Sequence, residues 1–243
     1  MKHTTTNFYV PPENIRNGKV HFPEGEGNHI VRVLRAEVGD LVVVVDGCGR
    51  AYLVELTKTD PSHSRGKIVE EVESAREPKI HQTLAIGTIH HKRLETAWDA
   101  CVQLGISRLI PLRTEYGLDR IRRDGKFIDR LRAVSVRAMK QSGRAVLPAV
   151  EQPLSLVEVL NSGGYRHILV GDPDGLPNLT YNKPKLGERV LLVVGPEGGL
   201  SAEERRLLTE HSGIQISLGP RRLRTETAAV ALSVIALKWT EDI

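Results

Sequence analysis

Hydrophobic residues change their spacing once along this chain. Through about residue 72 they form short runs punctuated by turn residues. Leu41 to Gly47 (LVVVVDG) and Ala51 to Leu56 (AYLVEL) read as strands joined by a glycine-containing connection, and Gly66 to Val72 sets Ile68 and Val72 among charges as a one-sided strand does. From about residue 80, apolar strands alternate with helical segments. Strands are expected at Thr83 to Ile89, Arg108 to Leu112, His167 to Val170, Val190 to Val194 and Gln215 to Leu218, and helices at Lys92 to Leu104, Lys126 to Gln141, Ser155 to Leu160, Ala202 to His211 and Thr225 to Trp239. That alternation predicts an α/β domain with a mostly parallel sheet. The chain therefore divides into a small β-rich module over residues 1–72 and an α/β domain over 73–243, joined through the polar stretch Glu73 to Lys79.

Two segments of the second part are defined more sharply. The run Val190 to Val194 (VLLVV) lacks polar alternation and should be buried on both faces. The helix after it begins with Ser201 and carries Glu204 three residues on, the pattern of a capping box. In the last helix Ala228 to Leu237 leaves almost no polar face, so it should be enclosed, either in the protein centre or in a subunit interface.

Composition narrows the function classes. With 243 residues, 40% hydrophobic and 26% charged, the chain is a folded globular protein rather than a disordered one. Two cysteines, Cys48 and Cys101, cannot build a disulfide framework or a thiolate metal site. His90-His91 reads as a polar loop pair, and no metal site is expected. No apolar leader opens the sequence and no run approaches 18 apolar residues, so no membrane association and a cytoplasmic location are expected. The net charge is only +4, but from Arg108 to Arg144 eleven Lys or Arg face four acids. Such a local excess suits either phosphates or a solvated helix face.

Candidate chemistry sits in two loops at the carboxyl ends of strands, where open α/β sheets place ligands. Gly195-Pro196-Glu197-Gly198-Gly199-Leu200 follows VLLVV, and Leu218-Gly219-Pro220-Arg221-Arg222-Leu223-Arg224-Thr225-Glu226-Thr227 precedes the apolar helix. Neither GxGxxG nor GxxxxGK[ST] occurs there, so dinucleotide and triphosphate binding lack support.

These residues carry a resemblance. GPEGGLSAEE (Gly195 to Glu204) and LGPRRLRTETAA (Leu218 to Ala229) are similar to the two C-terminal signatures of the ribosomal RNA small subunit methyltransferase E family, uridine N3-methyltransferases of 16S ribosomal RNA in the SPOUT superfamily. NHIVRVLRAEVGD (Asn28 to Asp40), Asp46-Gly47, LGISRLIPL (Leu104 to Leu112) and QSGR (Gln141 to Arg144) extend the match along the whole chain. The resemblance implies a PUA-like RNA-binding β-barrel over 1–72 and a SPOUT methyltransferase domain over 73–243, with a parallel sheet, a deep trefoil knot and a homodimer interface. It implies S-adenosyl-L-methionine as cofactor, bound by Gly171 in a GDPDG turn, by Gly195, Pro196, Glu197, Gly198 and Gly199, and by Leu218, Gly219, Leu223, Thr225 and Ala228. A side chain at Gly198 would occupy space the cofactor needs.

The reaction so implied is attack by uridine N3, which must lose its proton. Arg224 is the expected cation beside the uracil carbonyls, and Glu226 or Glu197 could accept the proton, unless each serves as a charge partner at the helix start or a loop brace. Arg32, Arg35, Arg120, Arg122, Arg123 and Arg144 are the candidate contacts to 16S ribosomal RNA, free or within the small subunit. The family pattern is broken at His90, His91, Ala100, Gln103 and Lys140, which suggests a charge network lost between the first two helices of the α/β domain. Alternatives are a paralogue acting on another RNA nucleotide, a non-catalytic RNA-binding or ribosome-assembly factor of the same fold, and a small-molecule SPOUT methyltransferase. The β-rich module and the basic segment argue against the last.

Overall fold

The computed structural model describes residues 7–73, 77–118, 126–177 and 181–242. In chain order the N-terminal elements are β1 (Phe8–Tyr9), β2 (Ile15–Arg16), β3 (Lys19–His21), α1 (Glu24–Asn28) with a wider helical continuation over His29–Leu34, β4 (Leu41–Val45), β5 (Ala51–Lys58) and β6 (Arg65–Val72). Then follow β7 (His81–Gly87), α2 (His91–Gln103), β8 (Arg108–Arg113), α3 (Lys126–Ser142), β9 (Ala149–Val150), β10 (Leu154–Ser155), α4 (Leu156–Gly163), β11 (His167–Leu176), β12 (Arg189–Val194), α5 (Ala202–Glu210), β13 (Ile214–Ile216) and α6 (Thr225–Thr240). Among the described residues no helix is long and apolar enough to cross a membrane.

The chain forms two compact units, residues 1–77 with 136–147, and residues 78–135 with 148–243. In the first, six strands pair in the order β1-β4-β5-β6-β3-β2. Phe8 on β1 and Phe22 just after β3 stack edge to face with ring centroids 5.9 Å apart, so strands near opposite ends of the sheet share one core and the sheet curls into a small barrel. Tyr52, Val42, Val54 and Leu56 fill that core with Ile30 from the helical segment. The helix over residues 24–34 was not expected from the sequence, because Gly25 and Gly27 weaken helix propensity. Residues 136–147 belong here physically: Met139 and Ala145 pack with Val45 and Ala51, and Gly49 N–H donates to the Ala145 carbonyl at 3.1 Å.

The second unit holds a seven-stranded sheet, β10-β8-β7-β12-β11-β13 with β9 beside β8, in which every pair is parallel. The VLLVV run is buried throughout, as the absence of alternation predicts. Ser201 caps α5 by the expected reciprocal bonds with Glu204, and Ser155 with Glu158 does the same for α4. The described residues do not enclose helix α6: Ala229, Leu232, Ser233 and Ala236 are buried, while Val234 is 37% exposed and Val230, Ala231 and Ile235 are half-buried. The GDPDG segment is no turn. β11 continues through it to Leu176, which pairs with Ile216 across a register shift after Gly171.

Candidate active site

The parallel register brings the ends of five strands, β7, β8, β11, β12 and β13, to one edge of the sheet. Gly171 pairs with Val194 and with Ile216, Val194 pairs with Ile86, and Gly87 pairs with Leu112. These residues lie toward the carboxyl ends of their strands, apart from the extension of β11, so the segments after them emerge on the same side. Among the segments at the ends of β11, β12 and β13 lies a cavity of about 560 Å³, within the range of roughly 300–1,000 Å³ usual for small-molecule sites.

Gly171, Gly195, Pro196, Glu197, Gly198, Gly199, Leu218, Gly219, Leu223, Thr225 and Ala228 all line this one cavity. The two signature loops thus meet, and Gly171 joins them. Gly199 and Gly219 take φ of +78° and +105°, conformations that side chains disfavour, which explains glycine at both. At Gly87 a Cβ would lie 2.4 Å from the Pro196 nitrogen, so the first loop can settle on β7 only because no side chain intervenes. Gly198, which lines the cavity, has a further reason to be glycine. A Cβ there would meet the Tyr116 Cβ at 2.7 Å, so a protein neighbour excludes a side chain irrespective of any ligand.

The cavity wall also carries charge that sequence reading did not single out. Asp172, with a side chain 3% exposed, accepts a hydrogen bond from Asp174 N–H at 2.9 Å, while its Oδ2 lies 3.4 Å from Arg205 Nε. That nitrogen is buried without a hydrogen-bond partner. Asp172 and Arg205 thus place a carboxylate beside a guanidinium among the lining residues, a pair suited to a ligand offering both a donor and an acceptor.

Arg93, in the first turn of α2, binds both signature loops. Its Nε and Nη2 donate to Glu226 at 3.0 and 2.5 Å, and its Nη1 donates to Glu197. Arg222 adds a bond from Nη2 to the Glu197 carbonyl at 3.1 Å. The Arg93 guanidinium, with Arg224 contributing least, holds the Glu226 carboxyl below the usual carboxylate range despite opposing desolvation. Both carboxylates thus serve as loop braces, the alternative role expected for them, and the lowered pKa makes Glu226 a weaker base than an ordinary carboxylate. Arg224 is exposed at the N-cap of α6, between the lining residues Leu223 and Thr225, without lining the cavity itself.

Arg32 and Arg35 are exposed, Arg35 in a left-handed conformation that ends the helical segment. Arg144 is not available as a phosphate contact. It is 2% exposed, and its Nε and Nη2 donate to Glu77 at 3.1 and 2.7 Å, while Glu77 also accepts from the N–H groups of Ala145 and Val146. Arg120, Arg122 and Arg123 lie outside the described residues. His90 and His91 are exposed, and among the described residues no group of three metal-ligating side chains occurs.

At the departures from the family pattern the structure supplies other links. Lys140 binds both Glu26 oxygens at 2.6 and 2.8 Å, and Gln103 binds Asp99 on its own helix. Ala100 is half-buried. Helices α2 and α3 are joined instead by Trp98 Nε1 donating to Ser135 Oγ at 2.8 Å and by the Arg130–Glu95 ion pair at 3.3 Å.

Comparison with known proteins agrees with this architecture. The family described as RNA methyltransferase domain matches residues 76–237, and that described as RNA methyltransferase PUA domain matches residues 22–69. The chain is 27% identical over 227 residues to the ribosomal RNA small subunit methyltransferase E of Aquifex aeolicus, covering 93% of this chain and 97% of that protein. It is 30% identical to the protein of the same name from Synechocystis, covering 93% and 75%. Among solved structures, the Neisseria gonorrhoeae ribosomal RNA small subunit methyltransferase E bound to S-adenosyl methionine superposes with a TM-score of 0.87 at 25% identity, covering 97% of this chain and 98% of that one. A Legionella pneumophila protein with bound cofactor SAM gives 0.86 at 27% identity, with the same coverage. Two signature loops on one cavity, matching family domains over most of the length and relatives of one name along nearly all of it lead to a single assignment: the chain belongs to the ribosomal RNA small subunit methyltransferase E family.

Proposed function

We propose that the protein transfers the methyl group of S-adenosylmethionine to N3 of a uridine in 16S ribosomal RNA, presented by the small ribosomal subunit. The observation that carries this reading is the convergence of both signature loops and Gly171 on one cavity, with Asp172 and Arg205 on its wall. The residues suit the cofactor: backbone for the adenosine, and a carboxylate beside a guanidinium for a ligand that is both hydroxylated and zwitterionic. S-adenosylmethionine supplies a methyl carbon on a positively charged sulfur, so the N3 lone pair forms the N–C bond as the C–S bond breaks.

The chain's own task is to hold the base and stabilise it without its N3 proton. Arg224, exposed beside the cavity, is the proposed cation for the uracil oxygens, and the N3 proton is proposed to pass to Glu226 or Glu197, the carboxylates that Arg93 holds beside it. Arg32 and Arg35 on the PUA-like module are proposed to grip RNA phosphates, together with Arg120, Arg122 and Arg123. The half-buried apolar face of α6 supports a homodimer, and the knotted threading is proposed on the likeness to the family.

Labelled S-adenosylmethionine incubated with hypomethylated small-subunit particles tests the reading, with the product nucleoside identified by mass spectrometry. N3-methyluridine is expected, and Arg224→Ala should lose turnover while retaining cofactor affinity. Absence of label in RNA with intact cofactor binding overturns the enzyme reading, and label on another nucleotide overturns the uridine assignment.

A further inference from the structure

Among the described Phe, Trp and Tyr side chains, Tyr116 and Tyr181 alone are exposed. Tyr181 is tied by its carbonyl to Trp239 Nε1 near the C-terminal end of α6, about 20 Å along the helix from Thr225. Tyr116 is next to the cavity. We propose that Tyr116 is the platform on which the RNA base entering the active site stacks, an inference that rests on the RNA-methyltransferase reading above.

Its loop is held at several points. Glu115 N–H donates to Glu204 Oε1 at 3.0 Å, Gly117 N–H to the Thr114 carbonyl at 3.1 Å and Leu118 N–H to the Thr88 carbonyl at 3.0 Å, while Thr88 Oγ1 donates to the Leu118 carbonyl at 3.2 Å. Glu204 is itself the capping residue of α5, so the tyrosine is fixed to the same helix start that ends the first signature loop. Contact with that loop is direct: a Cβ on Gly198 would lie 2.7 Å from the Tyr116 Cβ and 3.6 Å from its Cδ2. One edge of the side chain rests on the loop that forms the cavity wall, and Tyr116 nevertheless remains 52% exposed.

A tyrosine ring turns about only two side-chain torsions, so on a loop held in place it has little rotamer freedom to lose when a planar partner arrives. RNA readers exploit this, stacking unpaired bases on aromatic faces irrespective of sequence. Among the described Phe, Trp and Tyr side chains, Tyr116 is the exposed one beside the cavity. A base stacked there would lie against Gly198, within reach of the site where methyl is delivered.

The test compares Tyr116→Phe, Tyr116→Leu and Tyr116→Ala with wild type in cofactor titration, in particle binding and in methylation of hypomethylated small-subunit particles. Phenylalanine keeps the π-face and should match wild type. Leucine, with similar apolar bulk and no π-face, and alanine should raise the KM for the particle roughly 5- to 150-fold, the loss of one base–aromatic stack, with cofactor affinity unchanged. An unchanged KM in Tyr116→Ala, a Tyr116→Leu protein equal to wild type, or a parallel loss of cofactor affinity overturns the proposal, the last by showing the ring to be a brace for Gly198. If wild type binds particles and transfers no methyl, the enzyme reading fails by itself, and the ratio of particle affinities between Tyr116→Phe and Tyr116→Leu still decides the stack.

Discussion

Replacing Arg93 with alanine should weaken cofactor binding without any contact to the cofactor being removed. In the folded protein this guanidinium is 30% exposed, forks onto Glu226, which is 19% exposed, and reaches Glu197, which is 46% exposed. The forked, partly buried pair is worth about 1.5–3 kcal/mol, as charged hydrogen bonds generally are. The pair with Glu197 is half in solvent and adds about 0–1 kcal/mol. Glu197 and Glu226 stand on different signature loops, so without Arg93 the two walls of the cavity keep the Arg222–Glu197 carbonyl bond but lose the clamp on their carboxylates, and binding must supply part of the ordering. If most of the lost energy appears there, the dissociation constant for S-adenosylmethionine rises about 10- to 100-fold, or about 1.4–2.8 kcal/mol. Isothermal titration of wild type, Arg93→Ala, Glu226→Gln and the double variant measures it. Because all act through one clamp, the double variant should resemble the singles rather than their sum. Wild-type affinity in Arg93→Ala, or strictly additive losses, would refute the reasoning. The pH dependence has a defined sign. The folded Glu226 pKa is depressed, so the clamp is complete above the ordinary carboxylate range and is lost only as pH falls through that lower value.

Lys140→Met should leave Glu26 buried beside an apolar group and cost about 3 kcal/mol, or very roughly 6–12 °C in Tm, with most of the loss recovered in Glu26→Gln/Lys140→Met; thermal unfolding decides. Glu158 is held down to about 2, chiefly by the Ser155 N–H, so its contribution to capping α4 is present above its ordinary value of 4.5 and disappears as pH falls toward 2. The stability difference between wild type and Glu158→Gln, followed by denaturant melts across that range, should shrink in the same window. Gly198→Ala should weaken cofactor binding because its methyl group, pressed against the Tyr116 Cβ, pushes the glycine loop out of place, and adding Tyr116→Gly should restore the affinity in titration without restoring the KM for RNA. Arg32→Ala and Arg35→Ala should each flatten the dependence of log affinity for RNA on log salt, whereas Arg144→Ala should lower the melting temperature instead.

Local chemistry made part of this protein legible in its sequence. VLLVV declared its own burial, Ser201 with Glu204 declared a helix start, and the glycines of both signature loops marked where backbone would be approached. What stayed hidden depends on partners far along the chain. Arg93 meets Glu197 and Glu226 from 104 and 133 residues away, and Arg144 meets Glu77 across 67, so a count of basic residues could not tell a solvated arginine from a buried one. GDPDG carries local turn signals, yet Gly175 lies so close to Ile216 that a Cβ there would be 2.6 Å from its nitrogen, and pairing with β13 overrides those signals. Glycines in Glu24–Leu34 concealed a helix whose place is set by packing: a Cβ on Gly27 would lie 2.4 Å from the Pro61 carbonyl oxygen.

The first compact unit is interrupted in sequence, taking residues 1–77 and then 136–147. During synthesis its barrel strands leave the ribosome well before Met139 and Ala145, which complete the packing around Val45 and Ala51. At about 5–20 residues per second, the 70 residues from Glu77 to Leu147 impose a delay of roughly 4 to 14 s in which that patch stays wet. The nascent barrel must wait, half-finished, for a segment delivered by the following domain, and a gene cut at residue 77 would produce a fragment that never stops waiting.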